Sequence, residues 1–176
     1  MFSGNLSNRR YESRRLNKSA TNTINGSTVL SPDFKEFLQL LNENNVKYLI
    51  VGAYAVAVHG HPRYTGDLDV WIETTAENAQ RIAEVLDRFG FGSTSVDKKD
   101  FLEIGQVIQL GYPPNRIDIL TSLDGIEFSE CYPRRVEFDI DGIQVRFVDL
   151  ESLKKNKRAV GRYQDLADLE KLEGKQ

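Results

Sequence analysis

The chain has 176 residues, 40% of them hydrophobic and 28% charged, with a net charge of −3. It is long enough for one domain with a real core and is not a polycation that coats nucleic acid. A single cysteine, Cys131, excludes an intrachain disulfide and a cysteine metal cluster and fits a reducing cytoplasm. No apolar run approaches the roughly 20 residues of a membrane span, and the basic start lacks the apolar segment of a secretory signal.

Residues 1–30 are rich in Asn, Ser, Thr and Arg, carry a net +4 that leaves −7 on the remainder, and show no apolar periodicity. They read as a disordered basic leader, with residues 31–176 as the folded domain. Ser31 and Pro32 suit a helix start. Phe34, Phe37, Leu38 and Leu41 then mark one helical face, which ends at Asn44-Asn45. Residues 48–51 are a short buried strand, broken by Gly52. Residues 53–58 are small and apolar enough for a helix close to a sheet, and His59-Gly60-His61-Pro62 is a loop. Residues 67–73 form the next strand. Thr74-Thr75-Ala76-Glu77 has capping-box spacing, and the helix it opens turns Ala79, Ile82, Ala83, Leu86 and Phe89 inward before Gly90 stops it. Residues 107–110 and 116–120 flank a turn, residues 135–140 and 143–147 flank Asp141-Gly142, and helices follow from Asp149 to about Lys155 and over residues 164–172. The pattern predicts a mixed α/β (α+β) domain, with a small, partly antiparallel sheet, helices against it and a C-terminal helical tail.

Within this frame Asp67-Leu68-Asp69-Val70 carries the chemistry. Successive strand side chains alternate between faces, so Asp67 and Asp69 share one face while Leu68, Val70 and Ile72 take the other. Neighbouring carboxylates repel unless a cation joins them. Asp118, between Ile117 and Ile119, has the same apolar-acid-apolar setting. Three acids on strands of one sheet suit Mg2+ or Mn2+, which take oxygen ligands and bridge carboxylates to phosphates. Two such ions can stabilise the attacking and leaving oxygens of a phosphoryl displacement. Asp67 and Asp69 would hold the ion that carries a triphosphate. Asp118 would complete the shell near the attacking hydroxyl and take up its proton. Gly52 either lets a phosphate approach the backbone or only makes the turn.

Together these residues resemble the DNA polymerase β-type nucleotidyltransferase superfamily, in Val51-Gly52-Ala53, Asp67-Leu68-Asp69-Val70 and Ile117-Asp118-Ile119. The segment from His59 through Arg63-Tyr64-Thr65 to Asp69, and the tail from Asn156-Lys157 through Gly161-Arg162 to Asp168, are similar to small stand-alone bacterial and archaeal members akin to the AbiEii and DUF6036 groups. The resemblance covers about residues 32–172. It implies a minimal nucleotidyltransferase fold, with Asp67, Asp69 and Asp118 as metal-binding catalytic acids and Gly52 and Ala53 near the incoming phosphates. Ala53 departs from the usual Gly or Ser, and Gln164 stands where the group often has Lys.

The remaining candidates have two readings each. Arg63 clamps a phosphate or pairs with Asp67 or Asp69. Thr65 contacts nucleotide or shapes the start of the strand. Lys157 and Arg162 reach the phosphates or form a solvated face, with Arg162 paired to Asp165 or Asp168. Trp71 walls a base pocket or packs in the core. His59 and His61 belong to a turn. The resulting expectation is a magnesium-dependent transfer of a nucleoside monophosphate from an NTP to a hydroxyl of tRNA, protein or a small molecule, with a toxin–antitoxin pair as one setting. No membrane is involved, and a dimer or antitoxin-like partner could complete the acceptor site. A non-catalytic nucleotide- or partner-binding module and a metal-dependent phosphodiesterase are the rivals.

Overall fold

A computed structural model describes residues 7–11 (backbone only), 30–92 and 96–174. Among these, seven strands form one mixed sheet: β1 (Ser7–Tyr11), β2 (Tyr48–Ile50), β3 (Asp67–Ile72), β4 (Gln106–Leu110), β5 (Arg116–Leu120), β6 (Val136–Ile140) and β7 (Ile143–Phe147). Their spatial order is β1-β4-β5-β3-β2-β7-β6. The β3–β5, β2–β7 and β1–β4 pairs are parallel, and the β2–β3, β4–β5 and β6–β7 pairs antiparallel. Six α-helices accompany them: α1 (Pro32–Glu43), α2 (Gly52–Val58), α3 (Ala76–Leu86), α4 (Phe128–Cys131), α5 (Leu150–Val160) and α6 (Tyr163–Leu172).

Most elements follow from local chemistry. Phe34 N–H donates to Ser31 Oγ at the start of α1, Pro32 occupies its first turn, and Phe34, Phe37, Leu38 and Leu41 are all buried. Phe34 meets Tyr54 of α2, and Phe37 meets Phe89 beyond α3, so these three helical segments share one core. At the β6–β7 hairpin both Asp141 (φ 55°) and Gly142 (φ 81°) are left-handed, the geometry that a two-residue turn needs to match strand twist.

Three details depart from the expectations. The cap of α3 is Thr75, not Thr74: its hydroxyl accepts from Asn78 N–H. The shift frees Asn78 to bind Lys47 and Glu73 backbone groups, tying the helix start to β2 and the end of β3. Helix α5 runs to Val160 and ends at left-handed Gly161, rather than near Lys155. The expected leader lies largely outside the described residues, but Ser7–Tyr11 is a parallel edge strand on β4. Edge pairing uses backbone donors and acceptors, so this polar segment joins the sheet without any apolar alternation.

Candidate active site

The sheet places the acids together through register. In the parallel β3–β5 pair, Asp67 stands opposite Arg116 and Asp69 opposite Asp118. Alternation puts Asp67, Asp69, Arg116 and Asp118 on one face. Like charges directly opposed on adjacent strands are destabilising, so this grouping demands a cation.

Arg116 supplies one. Its Nε donates to Asp118 Oδ1 at 2.6 Å, and its Nη2 donates to Asp67 Oδ2 at 2.7 Å and Asp118 Oδ2 at 2.8 Å. Thr65 Oγ1 donates to Asp67 Oδ1 at 2.6 Å, and Gln109 Nε2 reaches Asp118 Oδ2 at 3.3 Å. Asp69 differs. No side chain among the described residues donates to its carboxylate. Burial, then the Asp67 and Asp118 charges, push its pKa from 3.8 up to about 7. Burial also raises Asp118, against the hydrogen bonds and charge of Arg116. The bond to Asp118 raises Arg116 in turn, which keeps it firmly protonated.

Sequence reasoning gave Arg116 no role. Its signal was present: it lies two residues before Asp118, so it shares that acid's face, and it is the basic residue of the two acid-bearing strands. Gly52 has a concrete task. It is left-handed (φ 63°), and a Cβ there would fall 2.0 Å from Asp69 Oδ2. Only glycine leaves room for that carboxylate. Ala53 follows, buried, in α2.

The flagged cations of the loop and tail form a second cluster. Lys157 Nζ, buried, donates to Asp165 Oδ1 at 2.8 Å and Asp168 Oδ2 at 3.0 Å. Arg63 does not pair with Asp67 or Asp69: its Nε and Nη2 donate to Asp168 at 3.2 and 3.3 Å. The expected local pairing missed this because Asp168 is far along the chain and reaches Arg63 only when α6 folds back. Arg162 pairs with Asp165, and Gln164 with Asp168. Burial would raise both acids, but their hydrogen bonds, first from Lys157, lower them below the ordinary value. The Lys157 charge also restrains the rise at Asp69, so the two clusters are electrostatically linked. Trp71 is core, buried edge-on against Phe128. His59 Nε2 meets Val148 O at 3.0 Å, in keeping with a turn role.

No family model matches the sequence, and no curated protein matches it. Solved structures do. The chain is similar to TM1012 from Thermotoga maritima, classed as a nucleotidyltransferase, over 81% of this chain and 91% of that one, with a TM-score of 0.52 at 15% identity. It is similar to the lincosamide antibiotic adenylyltransferase LnuA over 85% of this chain and 100% of that one, with a TM-score of 0.53 at 14% identity. It also matches the antibiotic-resistance factor ANT(2'')-Ia over 80% of each chain, with a TM-score of 0.50 at 12% identity.

The chain has the nucleotidyltransferase fold. The likeness stops at the fold and carries no assignment to the AbiEii or DUF6036 groups. Among the described residues, no helix is long and apolar enough to cross a membrane. Nor do three Asp, Glu, His or Cys side chains among them make a ready-made metal cage. The donor set nevertheless fits a hard divalent cation in kind. It is all oxygen, and Asp69 offers a carboxylate that no side chain has claimed, beside two others on the same face. Arg116 is seated between Asp67 and Asp118, on oxygens that such a cation would also use.

Proposed function

We propose that this protein is a divalent-cation-dependent nucleotidyltransferase that moves a nucleoside monophosphate from an NTP to a hydroxyl, with pyrophosphate as leaving group. One observation carries it: Asp69 and Asp118 are opposed in register, with Asp67 on the same face, in a chain with the nucleotidyltransferase fold. The acceptor oxygen bonds to the α-phosphorus as the bond to pyrophosphate breaks, and Asp118 receives the hydroxyl proton. Asp67, Asp69 and Asp118 would hold Mg2+ or Mn2+, which supplies charge neutralisation at the phosphates. Gly52 lies beside Asp69 and Ala53 follows it in α2, where the triphosphate would come. Arg162, whose side chain is 77% exposed, would be a tail cation for a phosphate. Lys157 and Arg63, held by Asp168, act through their charge. Thr65 orients Asp67 toward the nucleotide side.

A small-molecule hydroxyl is the favoured acceptor, because two of the matched structures are antibiotic-related and the chain spans all of one of them. tRNA or a protein, including a toxin–antitoxin target, is the alternative. Incubation with α-labelled NTPs, Mn2+ and separate pools of aminoglycosides, lincosamides, tRNA and lysate proteins tests this. Transfer to one pool, reduced at least about 100-fold in Asp69→Asn, is the expected result. Nucleotide binding with no transfer to any pool would instead favour a non-catalytic binding module. The observation on that side is Arg116, whose single charge is already shared between two of the three acids.

A further inference from the structure

The acid cluster contains six carboxylate oxygens. Four already accept side-chain hydrogen bonds: both of Asp67, from Thr65 and Arg116, and both of Asp118, from Arg116 and Gln109. Arg116 alone engages three of these. A guanidinium fork has a fixed planar geometry. Here it spans two strands and holds Asp67 and Asp118 at one nitrogen. A divalent cation shared by these acids needs the same oxygens and the same space between them. When all three are ionised, the carboxylates carry three negative charges. With Arg116 in place two remain, and Asp69 alone has oxygens free of side-chain donors.

We propose that Arg116 is an exchangeable resident cation. It holds the acid cluster together in the metal-free protein and swings out when a divalent cation binds, so guanidinium and metal compete for Asp67 and Asp118. This rests on the acids being the cation site, as proposed above. The Arg116 side chain is 18% exposed, so part of it already meets solvent. Competition is reciprocal: whatever the arginine gains by sitting on these carboxylates, the metal loses.

Mn2+ binding, followed by electron paramagnetic resonance of the free ion, reads the competition without any turnover. Wild type is compared with Arg116→Met, Arg116→Lys and Asp69→Asn. Arg116→Met is expected to bind Mn2+ at least about tenfold more tightly than wild type, because the competing charge is gone. Arg116→Lys, which keeps a charge but loses the fork, should fall between. In 15N-labelled wild type, the Arg116 Nε–H resonance should leave its hydrogen-bonded position as Mg2+ is added, a readout independent of how well any variant folds. Equal or weaker Mn2+ binding in Arg116→Met, with the wild-type site lost in Asp69→Asn, would overturn the exchange. Arg116 would then be a fixed support, and the metal reading would survive. An Arg116 resonance unmoved at saturating Mg2+ would overturn it equally. Failure of every variant and of wild type to bind Mn2+ at millimolar concentration would overturn both readings.

Discussion

At Gly52 two constraints coincide: a left-handed backbone and an Asp69 oxygen where a side chain would begin. Gly52→Ala should therefore cost about 2 kcal/mol or more in urea unfolding, combining backbone strain with displacement of the carboxylate. A cost of only about 1 kcal/mol, that of the backbone strain alone, would mean that the Asp69 carboxylate is free to move aside. Asp69 itself links stability to pH. Its folded pKa, about 7, lies above the ordinary 3.8, so the folded state holds the proton more tightly than the unfolded chain. The stability this contributes is complete below about pH 4 and is lost as pH rises through 7. The loss is at most about 4 kcal/mol. In EDTA, Asp69→Asn should thus be more stable than wild type at pH 8, with the gap closing toward pH 4. A constant gap in parallel denaturation series would refute the linkage. Arg116 shows what sequence reading missed at this scale. Acids of alternating register stood out, but their partner was visible only once β3 and β5 were set in register.

Helices α5 and α6 meet through a buried ion network, with Lys157 at its centre and Asp168 fully buried. Removing one member of such a set leaves charge without compensation, so Lys157→Met should lower stability by about 3–5 kcal/mol. It should also raise the Asp69 pKa further, because the Lys157 charge opposes that rise. The pH at which stability is lost would then move upward, an effect that a packing defect alone would not produce. Amphipathic periodicity made α1 and α3 legible and alternation made β3 and β5 legible, because both patterns are local. The tail cations stood out too, and the Arg162–Asp165 pair is a one-turn contact. Arg63–Asp168 was hidden because it spans 105 residues. Short α4 and edge strand β1 were hidden for a related reason: neighbouring elements, rather than their own sequence, create the place they fill.

In the whole molecule, β3 lies in the middle of the sheet, with β5 on one side and β2 on the other. Its apolar face, Leu68, Val70 and Ile72, is buried and fixes the register, because a one-residue slip would exchange the faces. The hydrophobic core thus holds three carboxyl groups around one guanidinium, and once Asp69 is ionised the site carries a net negative charge that a divalent cation would offset. Binding to the folded state alone stabilises it by RT ln(1 + [M]/Kd), about 1.4 kcal/mol at ten times Kd, which for a domain of this size is a rise in Tm of roughly 3–6 °C. Thermal melts in EDTA and in excess Mn2+ should show that rise at pH 8. Protons compete with metal for Asp69, whose pKa is about 7, so the rise should be smaller at pH 6. Asp69→Asn should show none at either pH. An equal response in Asp69→Asn would place the ion elsewhere on the protein and remove the basis for cation-assisted chemistry at this face of the sheet.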